Sequence, residues 1–169
     1  ETYAALSRLD KAGRLPLRYH ATFTLFVPDD YESAIEQVKE LNAKYGSDRL
    51  RIDTLKIFHD GVIETRTADM FDDYLDTPGN SGESLFSEEQ LHDLIIDLSG
   101  EGINLHIHSV GDKSTNKLLN AIEQVHETLG GPPRIRIAIC HLESVLDTDF
   151  YRFKDLGVIA SFTPAWHGH

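Results

Sequence analysis

The chain is short of cysteine, short of positive charge and free of long apolar runs, and each shortage closes a class of function. Its only cysteine, Cys140, cannot form an intramolecular disulfide, so a disulfide-stapled scaffold is excluded. Sixteen Lys and Arg against 28 Asp and Glu leave a formal charge of −12 and a pI near 5.0. That balance repels phosphate backbones and anionic lipid, so neither nucleic acid nor membrane is expected as a partner. No apolar stretch approaches the roughly 20 residues that span a bilayer, and no secretory signal pattern is present. The expected compartment is the cytoplasm. No G-x-S-x-G elbow supports a serine nucleophile, and neither G-x-x-x-x-G-K-[ST] nor G-x-G-x-x-G is there to cradle a phosphate.

What the 169 residues do contain is a regular alternation of β-rich and amphipathic segments. "LPLRYHATFTLFV" (15–27), "LRIDTLKIF" (50–58), "INLHIH" (103–108), "RIRIAICH" (134–141) and "GVIASFTP" (157–164) read as five strands. Between them, Ala34, Ile35, Val38 and Leu41 mark one helix; Leu91, Leu94, Ile95 and Leu98 a second; Leu118, Ala121, Ile122 and Val125 a third. The second opens on "SEEQ", where Ser87 and Gln90 have the spacing of a capping box. A short helix around Phe150 and Phe153 stops at Gly157, and "ETYAALSRLDKAG" at the start is helix-like.

Strands separated by helices imply parallel pairing through crossovers, hence an α/β fold. A doubly wound sheet and part of a (β/α)₈ barrel both satisfy this. A full barrel typically needs about 250 residues. The expectation is therefore a partial TIM barrel, roughly strands three to seven, with residues 1–169 forming a single incomplete domain that lacks the first and last barrel strands. One segment, 59–86, has no sustained period. Loops longer than about 12–15 residues are uncommon and often functional, and this one follows the carboxyl end of a strand, where α/β enzymes place their sites.

The candidate chemistry sits at strand ends. His106 and His108 share a face, as do Thr54 and Lys56, because strand side chains alternate. His141 ends the next strand and closes a period-two row of Ile135, Ile137 and Ile139. Lys56 occupies a similar position one unit before His108. A lysine ammonium is a poor ligand, but burial favours the neutral amine, which adds carbon dioxide to give a carbamate oxygen donor. Lys56, His108 and His141 would then offer one oxygen and two nitrogens, a set suited to Zn²⁺ or a similar divalent ion with a position open for water. The plain alternative is a set of hydrogen-bonded polar strand ends, with Lys56 paired to an acid.

Around these lie supporting candidates. Asp60 and Gly61 open the long loop, with Asp60 fixing loop or ligand geometry. Arg66 either holds a substrate carbonyl or forms a salt bridge. Asp112 is expected to cap the following helix and to orient His108. Glu143 lines the pocket or is solvated. Cys140 is expected to point away from His141 and to serve packing.

"LKIFHDGVIETRTADM", "HIHSVGD", "ICHLES" and "GVIASFTP", in that order, resemble the metal-dependent amidohydrolase superfamily, and more narrowly its N-substituted formamide deformylase-like branch. The resemblance implies Lys56 as a bridging, often carboxylated ligand at barrel strand four, His108 as the strand-five ligand and His141 as the strand-six ligand. His106 becomes a supporting pocket group. It further implies a small-molecule amide-type substrate and metal-activated water attacking a C–N bond. The family's His-x-His of strand one and the proton-accepting aspartate of strand eight have no counterpart here, so the fragment alone is expected to be inactive. The terminal "WHGH" reads as substrate-loop sequence. A non-catalytic reading stands beside this one: an α/β module whose open sheet edges pair between copies or which binds a small ligand.

Overall fold

A computed structural model describes residues 1–165, the side chain of residue 29 apart. The "WHGH" segment lies outside the described residues. The elements run α1 (Thr2–Lys11), β1 (Tyr19–Leu25), α2 (Tyr31–Tyr45), β2 (Leu50–Phe58), α3 (Glu88–Glu101), β3 (Asn104–Ser109), α4 (Asp112–Leu129), β4 (Ile137–His141), α5 (Phe150–Asp155) and β5 (Ile159–Phe162). The five strands expected from the alternation all form, the outer ones shorter at their ends than their apolar runs suggested. Residues 59–86 hold no strand or α-helix, only a single 3₁₀ turn at Ile63–Thr65.

All four strand pairings are parallel, and the strands lie side by side in chain order β1-β2-β3-β4-β5. A doubly wound sheet reverses direction at a switch point; this sheet does not. Sequential order is that of a barrel arc, so the fold is a partial TIM barrel.

Local chemistry explains the boundaries. The capping box of α3 is complete, with Ser87 accepting from the Gln90 amide and Gln90 accepting from the Ser87 amide. The helix ends on Gly102 at φ 69°, the left-handed conformation glycine adopts without steric cost. One helix-side core takes Leu55 and Ile57 of β2, Leu105 and Ile107 of β3 and Ile139 of β4, all at most 1% exposed, against α3 and α4.

A bulge in β2 sets which residues face the other way. Ala21 pairs Ile52 and Thr22 pairs Thr54, leaving Asp53 as an extra residue. Buried positions are therefore even before it (Leu50, Ile52) and odd after it (Leu55, Ile57). The switch puts Thr54 and Lys56 on the face away from the helices.

Candidate active site at the strand ends

On that inner face, the register levels Lys56 with His106, and Phe58 with His108 and Cys140. Lys56 reaches past β3 and donates from Nζ to the Cys140 Sγ at 3.1 Å. Cys140 thus belongs to the site face rather than to the helix-side packing expected of it. Alternation with Ile137 and Ile139 puts it there, and the departure from a regular strand comes one residue on. His141 has φ 79° and Leu142 φ 56°, so the strand ends in two left-handed residues, a conformation costing about 1–2 kcal/mol per non-glycine residue. Strand alternation, which would send His141 along the row of Ile137 and Ile139, is broken there. The imidazole instead lies edge-on to His108, with ring centroids 4.7 Å apart, and Nδ1 is 2.9 Å from Thr163 Oγ1.

These groups share an environment that favours neutral forms. Burial pushes His106 and His108 below the usual imidazole value and lowers the Lys56 amine. His141 falls to about 4, from burial first and then from the positive charge His108, Lys56 and His106 can carry. His108 Nε2 donates to the Gly61 carbonyl at 2.7 Å. A carbonyl can only accept, so Nδ1 is the nitrogen that keeps its lone pair.

Asp60 holds the floor of the site. It is 4% exposed and accepts from the Val110, Gly111 and Asp69 amides at 3.0, 2.8 and 3.2 Å. Burial outweighs these bonds and raises its pKa to about 6. Its Oδ1 is 3.6 Å from His108 Nε2, so the carboxylate beside His108 is Asp60. Asp112 does not take the role expected of it. Gly111 is the N-cap of α4, and Asp112 Oδ1 accepts from the Phe71 and Lys113 amides, fastening the long loop. Gly61 and Gly111 are required by close approach: a Cβ would overlap Thr67 at the first and the Asp69 backbone at the second.

The loop is fastened a second time by Asp69, which is 1% exposed and accepts from Lys117 Nζ at 2.6 Å and from Ser84 Oγ. Arg66 pairs with Asp76 and donates to the Glu64 carbonyl. This is the salt-bridge alternative, although Arg66 also lines a cleft of about 600 Å³ with Asp60, Gly61, Asn80 and Glu83.

Sequence reasoning passed over His59, Asp69 and Lys117. His59 is fully buried, neither ring nitrogen has a hydrogen-bond partner among the described residues, and its pKa falls to about 3, mainly through burial. The row Leu55, Ile57, His59 carried that signal. Nothing local links residue 69 to residue 117.

Residues 1–168 match the sequence profile described as "Amidohydrolase family". The chain belongs to the amidohydrolase family. Among curated relatives it is 32% identical over 120 residues to exoenzymes regulatory protein AepA of Pectobacterium carotovorum subsp. carotovorum, covering 71% of this chain and 25% of that protein. It is 27% identical over 156 residues to the N-substituted formamide deformylase of Arthrobacter pascens, covering 89% of this chain and 27% of that protein. Among solved structures, an uncharacterized metal-dependent hydrolase from Pyrococcus furiosus superposes with a TM-score of 0.75 at 29% identity, over 96% of this chain and 32% of that one. The chain thus spans about a quarter of the curated relatives it matches.

Among the described residues, no three His, Cys, Asp or Glu side chains are arranged to hold a metal ion. A metal held on this inner face would need a different third donor, and Lys56 is the candidate that shares the face with the two histidines. Neutral imidazoles and a half-buried amine with a lowered pKa suit such a set.

Proposed function

We propose that this chain is the central part of a metal-dependent hydrolase barrel that cleaves a C–N bond in an amide, formamide or related small molecule. Lys56, His108 and His141 would hold the ion, with Zn²⁺ the favoured metal and Lys56 contributing as its carbamate. A divalent ion bound there would supply the lowered pKa of water, towards 7, and the polarisation of a carbonyl. The chain's own residues do the positioning. Gly61 fixes the His108 tautomer, Asp60 fixes Asp69 of the long loop and Val110 and Gly111 at the start of α4, and His106 stands level with Lys56 on the inner face. The observation that carries this reading is the edge-on contact of His108 and His141 on the face that also bears Lys56.

The chain by itself is expected to bind metal weakly and to be inactive or nearly so. The test is metal content by mass spectrometry after Zn²⁺ loading, for wild type and His108→Ala. A loss in the variant supports the assignment, whereas equal content removes it.

A second reading rests on the sheet edges. β1 and β5 each pair with one neighbour among the described residues, and all four β5 residues are exposed. Pairing between copies would cover them. Light scattering after size exclusion tests this, with a clean monomer at micromolar concentration counting against it.

A further inference from the structure

Cys140 is the chain's only sulfhydryl and is 5% exposed, and the partner of its sulfur is an amine, Lys56 Nζ at 3.1 Å. The pair is set by sheet register. Lys56 on β2 is level with His106, and Cys140 on β4 is level with His108, so no flexible loop determines the contact. The separation lies within the roughly 3–3.5 Å at which reacting atoms are poised for bond formation. With one cysteine, oxidation cannot end in a disulfide inside the chain. Cys140 is buried and Lys56 half-buried, so bulky thiols are kept from an oxidised sulfur.

We propose that Lys56 and Cys140 form a redox-responsive pair in which hydrogen peroxide oxidises the thiol and the lysine amine captures the product as an S–N sulfenamide. In the first step the sulfur lone pair attacks peroxide, the O–O bond breaks, and the thiol becomes a sulfenic acid with release of one water. In the second, the Nζ lone pair forms the N–S bond as the S–O bond breaks. The departing hydroxide leaves with a proton from nitrogen as a second water. Sulfur is oxidised by two electrons and one peroxide is reduced. Two equivalents of a small thiol reverse the change, restoring amine and thiol and leaving an external disulfide. While the S–N bond stands, Lys56 cannot become a carbamate. This consequence rests on the metal reading above; the cross-link does not.

The experiment treats the purified chain with hydrogen peroxide, digests it and sequences the products by mass spectrometry. The expected product joins the peptide holding residue 56 to that holding residue 140, at a mass about 2 Da below their sum. It disappears on treatment with dithiothreitol and is absent from Cys140→Ser and Lys56→Arg. Dimedone, which traps sulfenic acid, should label Cys140 several-fold more in Lys56→Arg than in wild type. Unlinked peptides with two or three oxygens on Cys140, or equal dimedone labelling in both proteins, would overturn the proposal. Zn²⁺ content read on the same samples separates the two ideas. A cross-link that leaves metal content unchanged removes Lys56 from the metal set while the redox pair stands.

Discussion

The two faces of β2, β3 and β4 are built from alternate residues of the same strands, yet their chemistry is opposite. Facing the helices are Leu55, Ile57, Leu105, Ile107, Ile137 and Ile139, none more than 3% exposed. Facing inward are Thr54, Lys56, Phe58, His106, His108, Ala138 and Cys140, most of them polar or titratable. Parallel strands buried on both sides usually read as near-continuous apolar runs. Polar alternation in a parallel sheet therefore marks a face kept for something other than packing. One face supplies the burial that holds the strands in register, and that register brings the other face's donors together.

The sharpest way to break this comparison is to truncate one residue on each face of β3. Ile107→Ala should lower stability by about 3 kcal/mol, from lost burial and the cavity left behind. His106→Ala, one residue away on the inner face, should cost under about 1 kcal/mol. Urea unfolding of the two variants checks the contrast, and equal losses would mean that the inner face is core as well.

A pH series sharpens it where the faces meet, at His59 and Asp60. The folded pKa of His59, about 3, lies below its unfolded value of 6.5, so His59 withdraws stability as pH falls through that window. The steepest loss is about 1.4 kcal/mol per pH unit. Asp60 works in the opposite sense. Its folded pKa, about 6, lies above 3.8, so its contribution is present below 3.8 and is lost as pH rises through 6. Between these limits the two oppose one another. His59→Leu removes only the first, so the variant should gain on wild type as pH falls from 6.5 towards 4, by up to about 3 kcal/mol. Parallel pH profiles in urea titrations would show that His59 is solvated or partnered. The smallest effect belongs at the rim of the loop. Arg66→Ala should leave the unfolding midpoint where it is, because its pair with Asp76 is exposed and screened; a clear shift in the thermal midpoint would make that pair part of the loop's fastening.

Much of the fold was legible because it is written in short periods. The capping box at Ser87, the apolar stripes of α3 and α4 and the five β-rich runs each depend on neighbours a few residues apart. The strand-end positions of Lys56, His108 and His141 followed from the same periods. Cys140 was misassigned because it was set opposite His141; Cys140 keeps the alternation of the strand, and it is His141 that the left-handed backbone turns to the same face. Asp112 was misassigned because its bonding partner, Phe71, arrives from a loop 41 residues earlier.

By itself, then, the sequence determined which segments are strands and helices, and which side chains stand at the carboxyl ends of the strands. Tertiary structure decided the rest. The bulge at Asp53 chose the face of Lys56, the backbone at residues 141 and 142 turned one imidazole towards another, and Asp60 and Asp69 found partners on α4 and its approach 48 to 51 residues away. Local periodicity records only what a residue does with its near neighbours. Strand-end geometry and buried polar pairing are fixed by segments distant in the chain, which meet only when the sheet has closed against its helices.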